Sequence, residues 1–287
     1  MADGKLTLGT NSQAAGASLY WHSWLPKTPP RAIVLLAHGY AEHLGRYQHV
    51  AAHLNAQGFG VFALDHWAHG RSDGSPGFVP KFSVFTDGVE ALLSEIEATH
   101  PGLSRFLIGH SMGGLIAATH LLTHQSHYRG AILSGPAIMP AETPSTLMLF
   151  ISRLLSRFFP KTGVLKLDAN GVSRDPAVVA AYLADPLVYT GKIGARLAAE
   201  FFSAMAHIRA CAHEITLPLL LVHGDQDSLA APSGSKYLFD HCRSTDKTFR
   251  LYEGLFHEIF NEPEQAMVLG EVTDWIEAHM SNDPVRY

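Results

Sequence analysis

Residues 106–122 read FLIGHSMGGLIAATHLL. An apolar run ends at Gly109, one serine follows at position 111, and glycines return at 113 and 114 before a second apolar stretch. Gly-His-Ser-Met-Gly (109–113) matches G-x-S-x-G, and its flanks read as a buried strand before it and a helix after it. A serine at such a junction sits on a turn so sharp that its backbone is strained. Side chains two positions away on either side would collide, so glycine is favoured there. The turn lifts the hydroxyl above the sheet edge. It also sets the Met112 amide at a helix N-terminus, where it can donate to a developing oxyanion.

The pattern continues in both directions. AIVLLAH (32–38), GVFALD (60–65), RFLIGH (105–110), GAILSG (130–135) and LPLLLVHGD (217–225) have the look of strands buried on both faces. RYQHVAAHLNAQG (46–58), FTDGVEALLSEIEATHP (85–101) and MGGLIAATHLLTHQ (112–125) carry helical periods between them. KTFRLYEG (247–254) adds a last strand and PEQAMVLGEVTDWIEAHM (263–280) a closing helix. Strand–helix alternation of this kind predicts an α/β fold with a mostly parallel sheet covered on both faces. It lapses between 137 and 210, where helical periods, several prolines and no clear strand suggest a helical cap. The expected organisation is a core of 1–136 and 211–287 with a cap at 137–210.

Composition narrows the function class. Of the 287 residues 47% are hydrophobic and 16% charged, and the net charge is -5, a globular balance without the basic footprint of a nucleic-acid binder. MADGKLTLGTNSQAAGASLYWHSW lacks a cationic segment followed by an apolar one, so no signal peptide is expected. No apolar run is long enough to span a bilayer. The two cysteines, Cys211 and Cys242, have no metal-binding spacing and fit a reduced, cytoplasmic setting.

A serine hydroxyl needs a base and an orienting acid, which in this architecture follow in the order serine, acid, histidine. Asp225 and Asp227 both follow the strand LLLVHGD. Asp227, two residues into the loop, is the candidate acid, and Asp225 at the strand end reads as a turn residue. His257 in YEGLFHEIF, between the last strand and the last helix, is the candidate base. With eighteen histidines in the chain, the others need blander readings. His120, His124 and His127 are expected to face solvent on or after the helix behind Ser111. His22, His49, His53, His100 and His279 have no motif around them. No H-E-x-x-H or comparable cluster points to a metal.

HGYAEHLGRY (38–47) follows the first buried strand, and the amide of Tyr40 is the candidate second oxyanion donor. Glu42 and Arg46, four apart, are either a helix-start ion pair or a polar cluster that receives substrate hydroxyls. DHWAHGRSDGSPG (65–77) reads as a supporting loop, with Asp65, His66, His69 and Gly70 holding its turns. TPSTLMLFISRLLSRFF (143–159) is apolar on nearly every face apart from Arg153 and Arg157. Leu147, Phe150, Ile151, Leu154, Leu155 and Phe158 are therefore expected to line an acyl tunnel or to touch a lipid surface.

Taken together, HGYAEHLGRY, DHWAHGRSDG, GHSMGG, SRDPAVVAAYLADPL, HGDQDSLAAP and YEGLFHE resemble the monoacylglycerol lipase family of α/β-hydrolases, in the family's order and over most of the chain. The resemblance implies a serine ester hydrolase that cleaves monoacylglycerols through an acyl-enzyme, without a cofactor. Ser111 would be the nucleophile, Asp227 the acid and His257 the base, with the amides of Tyr40 and Met112 as the oxyanion hole. It also places Glu42, Arg46, His110 and Tyr182 near the glycerol head group. The implied partner is a small lipid ester, with peripheral membrane contact through the cap. The broader group includes carboxylesterases, lysophospholipases and some peptidases. The sequence departs from the family at Tyr40, where a smaller residue is usual, and at Ala68, where glycine is usual.

Overall fold

The computed structural model describes residues 2–140 and 154–280. Its strands are β1 (Ala2–Thr7), β2 (Ser18–Trp24), β3 (Ala32–Ala37), β4 (Phe59–Leu64), β5 (Arg105–His110), β6 (Gly130–Ser134), β7 (Gly163–Leu165), β8 (Ile193–Gly194), β9 (Leu219–Gly224) and β10 (Lys247–Tyr252). The α-helices used below are α1 (Gln48–Ala56), α2 (Ser83–Thr99), α3 (Met112–His124), α4 (Pro176–Ala184), α5 (Ala195–Cys211), α6 (Pro232–His241) and α7 (Gln265–Met280).

Eight strands form one sheet in the order β1-β2-β4-β3-β5-β6-β9-β10. β2 runs antiparallel to both of its neighbours, and every pairing from β4 to β10 is parallel. The α/β class and the doubly covered parallel sheet follow from the side-chain alternation. In β3, Ile33 and Leu35 pack on one face with Val89, Leu92, Leu115 and Ile116 of α2 and α3. Ala32, Val34 and Leu36 point the other way, onto Val50 and Leu54 of α1 and Val268, Val272 and Ile276 of α7. A strand that is apolar at every position is stable only with a helical layer on each side. The chain leaves β3 toward β4 and leaves β5 toward β6, so the connections of these two neighbouring strands run in opposite directions along the sheet. Loops at the carboxyl ends of these strands therefore splay apart and leave a crevice.

Several details differ from the sequence reading. β1 and β2 are absent from it, because β1 is an exposed edge and β2 is only partly buried, so neither shows an apolar run. The helix expected over 46–58 begins as a 3-10 turn, Leu44–Tyr47, before α1; the Gly45 amide donates to His43 Nδ1 at 3.2 Å and tightens that first turn. Between β6 and β9 the described chain contributes no strand to the main sheet. It does contain the short ribbon β7–β8, which the reading had not foreseen. His120 is buried, not solvent-facing, at 1% exposure. α3 is enclosed by the sheet, α2 and α5, so a residue on its apparent polar side still lands inside. His120 Nε2 meets the Tyr128 hydroxyl at 3.1 Å, and burial lowers its pKa to about 3. Among the described residues no helix is long and apolar enough to cross a membrane.

Candidate active site

Ser111 joins β5 to α3 with φ 53° and ψ −118°, in the left-handed region that an L-residue occupies only under constraint. The constraint is visible around it. Its amide donates to the Ser134 carbonyl at 2.9 Å, and its carbonyl accepts from the Leu115 and Ala137 amides. A Cβ at Gly109 would come within 2.5 Å of the Gly113 carbonyl oxygen, and one at Gly113 would run into the Ala37 carbonyl. The two glycines of G-x-S-x-G are thus required by backbone lying against backbone. Met112 opens α3, so its amide belongs to the orphan donors of a helix N-terminus.

Asp227 lies in the loop after β9 and His257 in the loop after β10. His257 Nδ1 is 2.6 Å from Asp227 Oδ2. Asp227 Oδ1 accepts from the Leu229 and Ala230 amides at 2.8 and 2.9 Å, and Oδ2 also meets His223 Nε2 at 2.9 Å. Burial alone would raise the Asp227 pKa, yet His257 and His223 more than offset it and hold the carboxyl well below the usual range. Burial likewise opposes a charge on His257, while the Asp227 carboxylate, together with Glu258 and Glu42, outweighs it and raises the imidazole pKa. Asp225 takes the other part: its Oδ1 accepts the Gly254 amide at 2.7 Å and ties the two loops together.

Ser111 and His257 face one cavity of about 440 Å³ at the carboxyl ends of β3, β5, β9 and β10. Among the described residues no hydrogen bond joins the Ser111 hydroxyl to the His257 ring. Such bonds often tighten only when substrate fills the site. His110 also lines the cavity, its ring 4.8 Å from that of His257. Burial, then the neighbouring His257, lowers its pKa to about 3. His110 is therefore a neutral neighbour at physiological pH.

The loop carrying the Tyr40 amide is built with equal care. Glu42 Oε1 accepts the Gly39 amide and the Tyr47 hydroxyl, both at 2.6 Å, and Oε2 accepts from Arg46 at 2.7 Å. Arg46 also makes a two-pronged contact with Glu258 at 2.6 and 2.7 Å and lies 4.7 Å over the Tyr182 ring. Glu42 lines the cavity, yet its oxygens are engaged by the chain itself. Arg46 is not among the described lining residues. The structure thus makes this pair a scaffold for the loop, with Glu42 also forming part of the cavity wall. Asp65 adds to it by accepting the Leu44 and Arg71 amides at 2.8 Å. Ala68 takes φ 61°, the conformation for which glycine is the easier residue.

Tyr40 and Tyr182 line the cavity, as do the apolar Leu167, Val172, Leu183 and Leu229. The acyl candidates fare differently. Phe150 and Ile151, like Leu147, lie outside the described residues. Leu154 and Phe158 are 50% and 62% exposed and are not among the described lining residues, because the helical residues 154–158 turn them outward. Sequence reasoning missed Glu258, which meets Arg46 from 212 positions away. It also missed His223, though one polar residue in an otherwise apolar strand was a usable signal. Gly135, at φ 48°, passes beneath the Asp227–His257 pair. Among the described residues no group of three or more His, Cys, Asp or Glu is arranged to hold a metal ion.

Comparison with known proteins finds likeness along most of the chain. The family model Hydrolase_4, described as Serine aminopeptidase, S33, matches residues 28–264. The chain is 43% identical to the monoacylglycerol lipase of Mycolicibacterium smegmatis, over 92% of this chain and 95% of that protein. It is 34% identical to the monoglyceride lipase of Mus musculus, over 92% and 88% of the two. The crystal structure of Paleococcus ferrophilus monoacylglycerol lipase matches with a TM-score of 0.83 at 32% identity, covering 91% of this chain and 99% of that one.

Proposed function

The chain belongs to the monoacylglycerol lipase family of α/β-hydrolases, and from that premise we propose that it is a carboxylic ester hydrolase that splits monoacylglycerols into fatty acid and glycerol. The observation that carries the reading is the strained Ser111 sharing one cavity with the His257–Asp227 pair.

His257 Nε2 takes the proton of Ser111 as Oγ attacks the ester carbonyl. Asp227 holds the opposite ring nitrogen as a donor and stabilises the imidazolium that forms. The amides of Tyr40 and Met112 receive the oxyanion of the tetrahedral intermediate. Collapse breaks the ester C–O bond, and His257 returns its proton to the departing glycerol oxygen. Water then gives a proton to His257 as its oxygen adds to the acyl carbon; the acyl–Oγ bond breaks, His257 returns the proton to Ser111 Oγ, and the fatty acid leaves. His110 and Tyr182 face the alcohol, while Leu167, Val172, Leu183 and Leu229 offer the apolar wall for the acyl chain. Of the cap expected at 137–210, the described residues 154–210 act as the cover over this core, and 141–153 lie outside the described residues. Its exposed Leu154, Phe158 and Phe159 suit peripheral contact with the lipid surface that holds the substrate.

The test is a panel of monoacylglycerols, p-nitrophenyl esters and aminoacyl anilides, with fluorophosphonate labelling of the serine. Monoacylglycerols should be preferred, and Ser111→Ala should lose labelling and about 10⁴-fold or more in kcat while keeping its fold. Preference for the anilides would replace the lipase reading with a peptidase. A Ser111→Ala protein that still turns over at the native rate would remove the mechanism.

A further inference from the structure

Asp227 is held by more than a catalytic acid requires. Its Oδ2 meets two imidazoles, His257 Nδ1 at 2.6 Å and His223 Nε2 at 2.9 Å. His223 belongs to β9 and its side chain is fully buried. Its Nε2 faces acceptors alone, Asp227 Oδ2 and the Ala230 carbonyl at 3.2 Å. Its Nδ1 lies 2.7 Å from Ser235 Oγ on α6, which is buried as well and has no other side-chain partner among the described residues. One arrangement satisfies every one of these buried atoms: the Ser235 hydroxyl donates to His223 Nδ1, and His223 Nε2–H donates to Asp227. Ser235 thereby sets the tautomer of His223.

We propose that His223, kept in its Nε2–H form by Ser235, is a positioning residue that fixes Asp227 and tunes the basicity of His257. The proposal rests on the assignment of Asp227 and His257 as acid and base. Two N–H donors share one carboxylate oxygen, and each draws charge from it. Without the His223 donor, more of that charge faces His257, the imidazolium is stabilised, and the carboxylate is freer to rotate. The other groups facing His257 are His110 from β5, Glu42 from the loop after β3 and Glu258 from its own loop. None of these is touched by a change at position 223, so a shift in the base reports on His223 itself.

The experiment measures kcat and KM against pH on a short-chain p-nitrophenyl ester for the full chain and for His223→Leu, His223→Gln and Ser235→Ala. His223→Leu should lose about 10- to 100-fold in kcat with KM changed by about twofold or less, and its acid limb should move up by about half a pH unit or more. His223→Gln, whose amide can still donate to Asp227, should regain most of the loss and return the limb toward its native position. Ser235→Ala should shift the limb in the same direction as His223→Leu but by less. A folded His223→Leu protein with the native pH profile overturns the proposal, as does a His223→Gln variant no better than His223→Leu. Should His223→Leu fail to fold, an unmoved limb in Ser235→Ala overturns it instead. Asp227→Asn serves as the control: native activity there would refute the triad assignment itself, separately from the role of His223.

Discussion

At the scale of single residues, the site is a balance of charges around one imidazole. Burial works against a proton on His257, and Asp227, Glu258 and Glu42 work for it, so its pKa lies above the usual value of about 6.5. As the proposed base, His257 acts only when neutral. Hydrolysis measured as kcat/KM should therefore fall as pH drops through a pKa above about 6.5. Glu258→Gln removes one of the charges that favour the proton, so the acid limb should move to lower pH, opposite in direction to the His223→Leu shift. A limb that moves upward in Glu258→Gln would contradict this electrostatic account. The same substitution leaves Arg46 buried with Glu42 as its remaining acidic partner. A loss of stability of about 2 kcal/mol or more should accompany the pH shift in denaturant unfolding.

At the scale of elements, α4 and its flanks work as a brace between the two loops that carry the site. On one side Arg174 binds Glu262 and Glu264, just past the His257 loop, and the Val172 carbonyl accepts the Glu258 amide at 2.8 Å. On the other side Asp185 meets His43 Nε2 at 2.9 Å, and the Ala41 carbonyl accepts the Tyr189 amide at 2.8 Å. Asp185 also accepts the Leu187 amide, closing its own turn. Asp185→Ala should cost about 1–2 kcal/mol and lower Tm by roughly 2–6 °C in a calorimetric scan. Burial alone would raise the Asp185 pKa, but the hydrogen bonds from His43 and the Leu187 amide, with the nearby His43 and Arg46 charges, together outweigh it and the folded value is depressed. Its stabilisation is therefore full above about pH 4, and lost as pH falls through the folded pKa, so the Tm values of variant and native protein should converge in acid. A gap that persists at low pH would remove the pair as the cause. The brace also presents Leu183 to the cavity. Leu183→Ser should weaken kcat/KM for a long-chain ester by about tenfold and leave a short-chain ester within about twofold; equal losses on both would take Leu183 off the acyl path.

At the scale of the whole molecule, most of the large exposed apolar residues among those described lie on the segment between β6 and β9: Leu154, Phe158, Phe159, Leu165, Leu167 and Leu183, with Leu251 and Met267 elsewhere. A double Phe158→Ser, Phe159→Ser protein should hydrolyse monoacylglycerol in vesicles at least about tenfold more slowly, with a soluble p-nitrophenyl ester unaffected. Similar loss on both substrates would disconnect these residues from the lipid surface. Much of the molecule was legible without coordinates. Apolar runs alternating with helical periods determine a doubly covered parallel sheet, and G-x-S-x-G determines the elbow, because both are consequences of local sterics and local burial. β2 escaped notice because a partly buried strand beside an exposed edge carries no such signal, and His120 because one helix's pattern does not say how many neighbours enclose it. Which distant side chains meet was left to the tertiary structure. Asp227 reaches His257, and Arg46 reaches Glu258, only because the sheet runs β3-β5-β6-β9-β10 with these strands parallel, which brings the loops after them to one edge. Local spacing dictates where the backbone bends; sheet order across the whole chain dictates which charges face one another, and so which histidine sits against Asp227, where we propose the base.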